Sequence, residues 1–258
     1  MSRLLALAAL LLAAVSFPAA AQPSADALVA RLRTVDERQR NSGDFQARVY
    51  LEQNEKGKAD LVYEAEVYRR DDSDKLVILF TRPQAEAGKG YLRIDANLFV
   101  YDPTVGRWER RTERERIGGT SSNRADFDES RLADEYAPAF VGNEMLGRFP
   151  VERLRLTARP GVDVAYPVVE LWLDQATGNL LKRQDFALSG RLLRTTYYPQ
   201  WIKVFSPSKQ SDVYYPKEIR IFDEVEKGTN TTIVFQEVKL DPLQDSLFTK
   251  AWLEAKSR

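Results

Sequence analysis

The sequence predicts an α+β fold in which a strongly curved antiparallel sheet of about ten or eleven strands forms an incomplete β-barrel. Runs in which apolar and polar residues alternate recur along most of the chain, as expected for strands with one buried face. Short turn sequences separate these runs, and only three segments have helical spacing. Because so long an antiparallel sheet must curl, we expect the few helices to cover its apolar face as a lid or plug over a cavity.

The first 21 residues have the features of a cleavable secretory signal peptide. Arg3 supplies a short positive region, residues 4–15 are apolar, and the alanines at 19–21 form a small-residue cleavage site. An uncleaved anchor is disfavoured because the apolar run is shorter than the roughly 20 residues that cross a bilayer. Since no linker rich in Pro, Gly or Ser follows, we expect residues 22–258 to form a single domain.

The predicted helices cover residues 24–39, part of 126–147, and 245–255. The first is the clearest, because Leu28, Leu32 and Val35 recur at helical spacing behind Ser24, a residue type that caps helices. Beyond this helix the period changes to two, which predicts strands. The clearest strand segments are 44–54, 59–70, 76–81, 151–158, 167–173, 180–188, 192–198, 215–224 and 229–240.

Two residue types are absent from the chain, histidine and cysteine. Without histidine there is no Ser-His-Asp or Cys-His catalysis and no His-ligated zinc, so we expect a protein that is not an enzyme and uses no metal or other cofactor. Without cysteine there is no disulfide and no lipoprotein processing site. Lysine and arginine (38) balance aspartate and glutamate (38), which gives no overall attraction to nucleic acid.

Residues 107–116 (RWERRTERER) form the densest charge run of the chain. As a strand, the run places Trp108, Arg110 and Arg116 on one face together with Arg114; as a helix, it gathers a different set of arginines. One interpretation is a cationic rim around an apolar groove, and the other is a solvated face of mutually paired charges.

The segment after this run contains a Gly-Gly-Thr-Ser-Ser-Asn loop at 118–123 and then a cluster of acids. The loop lacks the lysine and spacing of a phosphate-binding loop, and no histidine can activate Ser121 or Ser122. We therefore interpret it as a mobile hinge or lid loop. The acids do not have EF-hand spacing and are typical of residues near a helix start; they are Asp126, Asp128, Glu129, Asp134 and Glu135.

Several short motifs follow one another in order along the chain. They span nearly the whole mature chain. In the first half they are the Asn-Leu-Phe-Val-Tyr-Asp-Pro run at 97–103, the arginines Arg107, Arg110 and Arg111, the Gly-Gly-Thr-Ser at 118–121, Ala-Asp-Phe at 125–127 and Leu132. In the second half they are Leu-Trp-Leu-Asp at 171–174 with Thr-Gly at 177–178, Tyr-Pro-Lys-Glu-Ile at 215–219 and Asp-Ser-Leu-Phe-Thr at 245–249. Taken in this order, the motifs resemble the LolA-like group of exported bacterial outer-membrane lipoprotein-sorting proteins.

The resemblance implies an open β-barrel whose helices act as a lid over an apolar cavity. It further implies a monomeric periplasmic carrier that takes the acyl chains of lipoproteins, or phospholipid, from an inner-membrane transporter towards the outer membrane. A sensing or regulatory module of the same fold is the alternative. A lipid-acting hydrolase using Ser121 or a carboxylate is a third interpretation.

On this interpretation the aromatic and apolar residues of 97–145 would form the cavity and its lid, and nearby arginines would lie at its mouth. The expected cavity and lid residues are Phe99, Tyr101, Trp108, Phe127, Leu132, Tyr136, Phe140 and Met145. The expected mouth residues are Arg110, Arg111 and Arg116.

Overall fold

A computed structural model of the protein describes residues 22–41, 43–94, 97–112, 115–128 and 130–257. The predicted signal peptide lies outside these residues, as do Glu113 and Arg114 of the charge run and Glu129 of the acidic segment. Within the described residues, no helix combines the length and the apolar character needed to cross a membrane.

The described residues contain three α-helices, three 3-10 turns and thirteen strands. The helices are α1 Ala25–Gln39, α2 Leu132–Glu135 and α3 Lys250–Lys256, and the 3-10 turns are Ile117–Gly119, Arg124–Asp126 and Asp245–Phe248. The strands are β1 Asp44–Glu55, β2 Leu61–Arg70, β3 Lys75–Arg82, β4 Gly90–Ile94, β5 Asn97–Asp102, β6 Arg107–Arg111, β7 Tyr136–Leu146, β8 Phe149–Ala158, β9 Val168–Asp174, β10 Leu180–Phe186, β11 Leu192–Ser206, β12 Ser211–Asp223 and β13 Thr229–Lys239.

All thirteen of these described strands belong to one curved antiparallel sheet. Its order is β6-β5-β4-β3-β2-β1-β13-β12-β11-β10-β9-β8-β7, so the first strand pairs with the last and joins two meanders. Strands β6 and β7 are the two edges, and the sheet stays open between them. The predicted α+β class with an incomplete barrel is confirmed.

The first helix begins as predicted. Ser24 caps α1 by accepting a hydrogen bond from the Ala27 amide at 3.2 Å, and Leu28, Leu32 and Val35 are its buried residues. The predicted C-terminal helix is interrupted at Thr249, whose extended backbone ends the 3-10 turn and whose hydroxyl caps α3.

The helix predicted for part of 126–147 is present as α2, but it has only four residues. Residues from Tyr136 onward instead form β7, paired with β8. Pro138 explains the difference, because proline has no amide hydrogen for a helix but is tolerated on an edge strand such as β7.

Each face of the sheet carries its own apolar cluster. The larger cluster lies on the inner face, which α1 and α2 cover. The smaller cluster lies on the outer face of the β2–β6 half, where the C-terminal turn and α3 pack. In β3 the alternation is direct: Leu76 and Ile78 belong to the inner cluster and Val77 to the outer one.

Arg70, at the end of β2, ties the C-terminal segment to the sheet. Its guanidinium donates to both carboxylate oxygens of Asp44, at 2.6 and 2.9 Å, and to the Leu243 carbonyl at 2.7 Å. It also pairs with Asp245 and lies 5.0 Å from the centre of the Phe248 ring. Loss of this one cation would therefore release several contacts of the segment at once.

Acid should weaken this attachment. Burial alone would raise the pKa of Asp44, but hydrogen bonds from Arg70 and the Leu243 amide outweigh it and hold the pKa below its ordinary value. Such a carboxyl stabilises the fold above its ordinary pKa of about 3.9, and the contribution disappears as pH falls through the folded-state pKa. We expect Asp44→Asn to lower the free energy of unfolding by about 1–3 kcal/mol at about pH 7, and by less at about pH 3.

Urea unfolding of both proteins at the two pH values measures this difference. Asp212→Asn is the control, because Asp212 is half-exposed and its pair with Lys203 at 2.7 Å is worth about 1 kcal/mol at most. The same loss for Asp44→Asn at both pH values would contradict the assignment.

Candidate functional site: a sheet interior filled by the chain

The inner side of the sheet is filled by the segment between β6 and β7. We call its described residues, 115–128 and 130–135, the plug. Its apolar side chains are buried, with Ile117 and Phe127 0% and 1% exposed. Its backbone also contacts the sheet, since the Gly118 amide donates to the Tyr91 hydroxyl at 3.0 Å. The plug is therefore packed like part of the core.

The Gly-Gly-Thr-Ser-Ser-Asn loop, which the sequence predicts to be a hinge or lid loop, is part of this plug and is packed against the sheet. Thr120 and Ser122 are fully buried, and the Ser121 amide donates to the Thr231 hydroxyl of β13 at 3.0 Å. Gly118 has a φ of 61°, and a Cβ there would lie 3.1 Å from the Phe80 ring. Glycine at 118 serves close packing and a left-handed backbone.

A small cavity of about 100 Å³ remains beneath the plug. Phe127 reaches towards it from the plug, 6.2 Å from the Phe235 ring on β13, measured between ring centres. The apolar part of the lining is Phe45, Phe127, Leu132, Leu180, Tyr198, Tyr215, Ile219 and Phe235. Burial raises the pKa of Tyr198 to about 12, so this lining residue is an uncharged phenol at neutral pH.

A buried ion pair fastens the plug to the second half of the sheet. The guanidinium of Arg194, on β11, donates to both carboxylate oxygens of Asp126, each at 2.8 Å. It also donates to Asp185 at 2.9 Å, and Asp185 accepts from Arg183 at 2.6 Å. Burial alone would lower the pKa of Arg194, but the charge of Asp126 raises it well above its ordinary value. Arg194 therefore stays cationic.

Two further carboxylates hold the plug. Asp128 lies 3.1 Å from Arg93 of β4 and is 1% exposed. Asp36 of α1 accepts from the amides of Leu132 and Ala133, at 3.0 and 2.8 Å, and so caps α2. Burial raises the pKa of Asp36, although these hydrogen bonds favour its ionised form. The plug is thus anchored to both sheet halves and to α1.

The expected cavity and lid residues do not lie around one space. Phe127, Leu132 and Tyr136 belong to the inner core, and Phe140 packs against it from β7. Met145 lies apart from them, 63% exposed beside the β7–β8 turn.

The other three expected residues lie on the outer face. Tyr101 stacks on Trp108, with ring centres 5.0 Å apart, and both pack against the C-terminal segment. Lys250 of α3 lies 4.2 Å from the centre of the Phe99 ring. Successive strand residues face opposite sides of a sheet, and Leu98 faces inward. Phe99 and Tyr101 therefore face outward. Their assignment to the cavity does not agree with this placement.

The expected mouth arginines are divided in the same way. Arg111 pairs with Glu109 and, at 3.7 Å, with Glu115, which favours the interpretation as a solvated, paired face. Arg110 is exposed opposite Phe99 in the β5–β6 ladder. Arg116 alone lies at the plug, where it pairs with Asp223 at 2.6 Å.

The geometry does not assemble a catalytic group around Ser121. Among the described residues, its hydroxyl has no hydrogen-bond partner, so no base is placed to take its proton. In the same part of the chain no three Asp or Glu residues come together as a metal site. What the site offers is an apolar wall, a chain segment packed over it, and charged anchors that hold this segment.

The sequence did not predict the buried charged residues that hold the plug on the side of β10 and β11. Arg183, Asp185 and Arg194 sit on strands β10 and β11, where isolated charges usually indicate a solvent face. The signal that could have found them is their alternation with partners of opposite sign on one side of the β10–β11 hairpin.

Solved structures share this architecture, and it is the LolA-like fold. A LolA superfamily protein from Nitrosomonas europaea is 24% identical, with a TM-score of 0.74 over 90% of this chain and 100% of that one. A DUF1329 family protein from Desulfovibrio piger is 19% identical, with a TM-score of 0.79 over 89% and 98% of the two chains. A putative outer membrane lipoprotein-sorting protein domain from Vibrio parahaemolyticus is 17% identical, with a TM-score of 0.76 over 88% and 97%.

A family model described as an uncharacterized protein matches residues 72–255, and the chain belongs to that family. No curated protein matches the chain. At these identities the solved structures establish the fold alone, because one fold can host many functions.

Proposed function

We propose that the protein is a periplasmic, non-enzymatic carrier that binds acyl chains of lipoproteins or of other lipids. The ligand would occupy the sheet interior that the plug now fills, and the carrier would bring it towards the outer membrane. An inner-membrane transporter would load the carrier, which would act as a monomer. The observation that carries the proposal is the apolar inner wall, covered by side chains of a segment that charged anchors hold in place.

The size of the remaining cavity supports exchange of the plug for cargo. Its volume of about 100 Å³ is below the roughly 300–1,000 Å³ of typical small-molecule sites. An acyl chain can therefore enter only where plug side chains leave. Ile117, Phe127 and Leu132 occupy the space that methylene groups would take.

The exchange requires a long chain. Moving Ile117, Phe127 and Leu132 into water costs about 1.5–3 kcal/mol each, or about 5–9 kcal/mol together. An entering chain gains about 0.8 kcal/mol per buried methylene, so roughly a dozen methylenes are needed to offset this cost and that of the broken anchors. The closed state without cargo and the open state with cargo then differ little in free energy, and a carrier needs this to load and release its cargo reversibly.

We expect delipidated protein to bind a fluorescent acyl probe of about sixteen carbons saturably and one of about eight carbons hardly at all, because only the longer chain offsets the exposed plug. Fluorescence titration below the critical micelle concentration measures this. Phe127→Ala should tighten binding of the long probe and admit shorter ones, because less apolar surface is exposed when the plug opens.

Phe149→Ala is the matched control, since Phe149 is 41% exposed on β8 and should leave the chain-length threshold unchanged. Weaker binding in Phe127→Ala would contradict plug exchange, and absence of saturable binding of the long probe would contradict the carrier. Native mass spectrometry of the freshly purified protein would identify the cargo.

A further inference from the structure

Two adjoining cavities open on the outside of the molecule where the plug meets the start of β11. One is polar and holds about 90 Å³; its lining includes Arg116, Ser121, Asn123, Arg194 and Asp223. The other is a groove of about 360 Å³ lined by Ala165, Tyr166, Pro167, Ala187, Leu188 and Leu193. Tyr166 and Leu193 line both, so the polar part and the groove adjoin at these two residues. The polar part borders the plug through Ser121 and Asn123, whereas the residues that line the groove lie outside the plug.

The polar part contains a hydroxyl without a partner. Ser121 is 7% exposed, and within the described chain its Oγ makes no hydrogen bond. A buried polar group is normally paired, because leaving it unpaired costs free energy. Ser121 lines this cavity, and rotation about its χ1 torsion moves the hydroxyl between three staggered positions.

The charged groups of the polar part already neutralise each other. Arg116 pairs with Asp223 at 2.6 Å, and Arg194 pairs with Asp126 at 2.8 Å on its inner side. An anionic head would therefore find no unpaired cation here, and a cationic head no unpaired carboxylate. What remains is the Ser121 hydroxyl, which can both donate and accept a hydrogen bond. A hydroxyl group of a ligand can take either role, so it fits this partner.

The apolar part has an exposed wall. Leu188, in the turn between β10 and β11, is 83% exposed, although an isolated side chain of this kind gains by burial. Pro167 and Leu193 line the same groove. The groove volume lies within the range of small-molecule sites and suits a short hydrocarbon chain.

We propose that these two cavities form one binding site for an amphiphile with an uncharged, hydroxylated head, such as a monoacylglycerol. The head occupies the polar part beside Ser121, and the chain lies along Leu188 in the groove. The site is accessible with the plug in place and stands apart from the interior. Because Ser121 belongs to the plug, the bound head touches the segment that closes the interior.

The test uses 1-octanoylglycerol, whose chain of about eight carbons is too short to replace the plug. Isothermal titration calorimetry below the micelle concentration should give one saturable site. Octanol and octanoate should bind about tenfold more weakly, because they lack the additional hydroxyls. If long acyl chains do not enter the interior, this result stays the same. The experiment therefore tests the outer site independently of the carrier function.

Ser121→Ala should weaken octanoylglycerol about tenfold while raising the thermal midpoint of the ligand-free protein, because it removes an unpaired buried hydroxyl. Leu188→Asp should abolish binding without affecting stability. Val105→Asp is the matched control, since Val105 is 61% exposed in the β5–β6 turn and should change neither quantity. Equal affinities of the three ligands, or an unchanged affinity in Ser121→Ala, would overturn the proposal.

Discussion

A disulfide between the plug and β13 should abolish uptake of a long-acyl probe, and reduction of the same protein should restore it. The variant carries Ser121→Cys and Thr231→Cys. In the oxidised form the plug cannot leave the inner wall, so the cavity stays at about 100 Å³ and no acyl chain fits. Fluorescence titration of the long probe, with and without reductant, measures the effect as a loss of all saturable binding.

The geometry favours this pair. The Ser121 amide nitrogen lies 3.0 Å from the Thr231 hydroxyl, so the two residues are direct neighbours, as a disulfide requires with its Cα separation of about 4.4–6.8 Å. The chain contains no cysteine, so the introduced thiols can only join each other within one molecule. The reduced form has the same sequence and is the first control.

A second control joins two strands and leaves the plug free. Gln184 and Thr195 are partners in the β10–β11 ladder, with their side-chain atoms 3.3 Å apart. Gln184→Cys with Thr195→Cys should bind the probe equally when oxidised and when reduced. If the oxidised Ser121–Thr231 variant also binds like its reduced form, cargo does not replace the plug and the mechanism is wrong.

The sequence predicted the strands well because alternation reports the burial of each residue locally. In β1 and β2 the alternating residues are the buried ones, and the two predicted strands pair with each other in an antiparallel ladder. β11 is longer than predicted, to Ser206, because the strand passes Pro199 through an irregularity between Tyr197 and Gln200. No local pattern predicts that β1 pairs with β13, since that contact joins distant parts of the chain.

The candidate site was harder to predict, because its residues depend on which face of each strand lies on the inner side of the curved sheet. Both faces of β5 carry apolar residues, since α3 covers the outer one, and alternation alone does not distinguish Leu98 from Phe99. The plug presented a similar difficulty. Its polar residues are typical of an exposed loop, and only partners far along the chain, such as Arg194 for Asp126, make their burial possible.

Arg194→Met should lower the free energy of unfolding by about 3–5 kcal/mol, because it leaves buried carboxylates without their cation. Asp126 and Asp185 are 3% and 0% exposed, and Arg194 contacts both. Asp185 keeps Arg183 at 2.6 Å, so the larger share of the loss falls on Asp126 and hence on the plug. Urea unfolding at neutral pH measures the loss. Arg191→Met, an exposed arginine just before β11, should stay within about 0.5 kcal/mol of the parent protein.

A variant that removes the charges of both Asp126 and Arg194 distinguishes the effect of the ion pair from the effect of side-chain packing. Asp126→Asn together with Arg194→Met should cost less than Arg194→Met alone, because no uncompensated carboxylate remains in the plug. Equal losses would show that Arg194 acts through its volume. The double variant also lacks the charged anchor between the plug and β11, so its plug opens at lower cost. We therefore expect it to bind the long-acyl probe more tightly than the parent protein, although it is less stable.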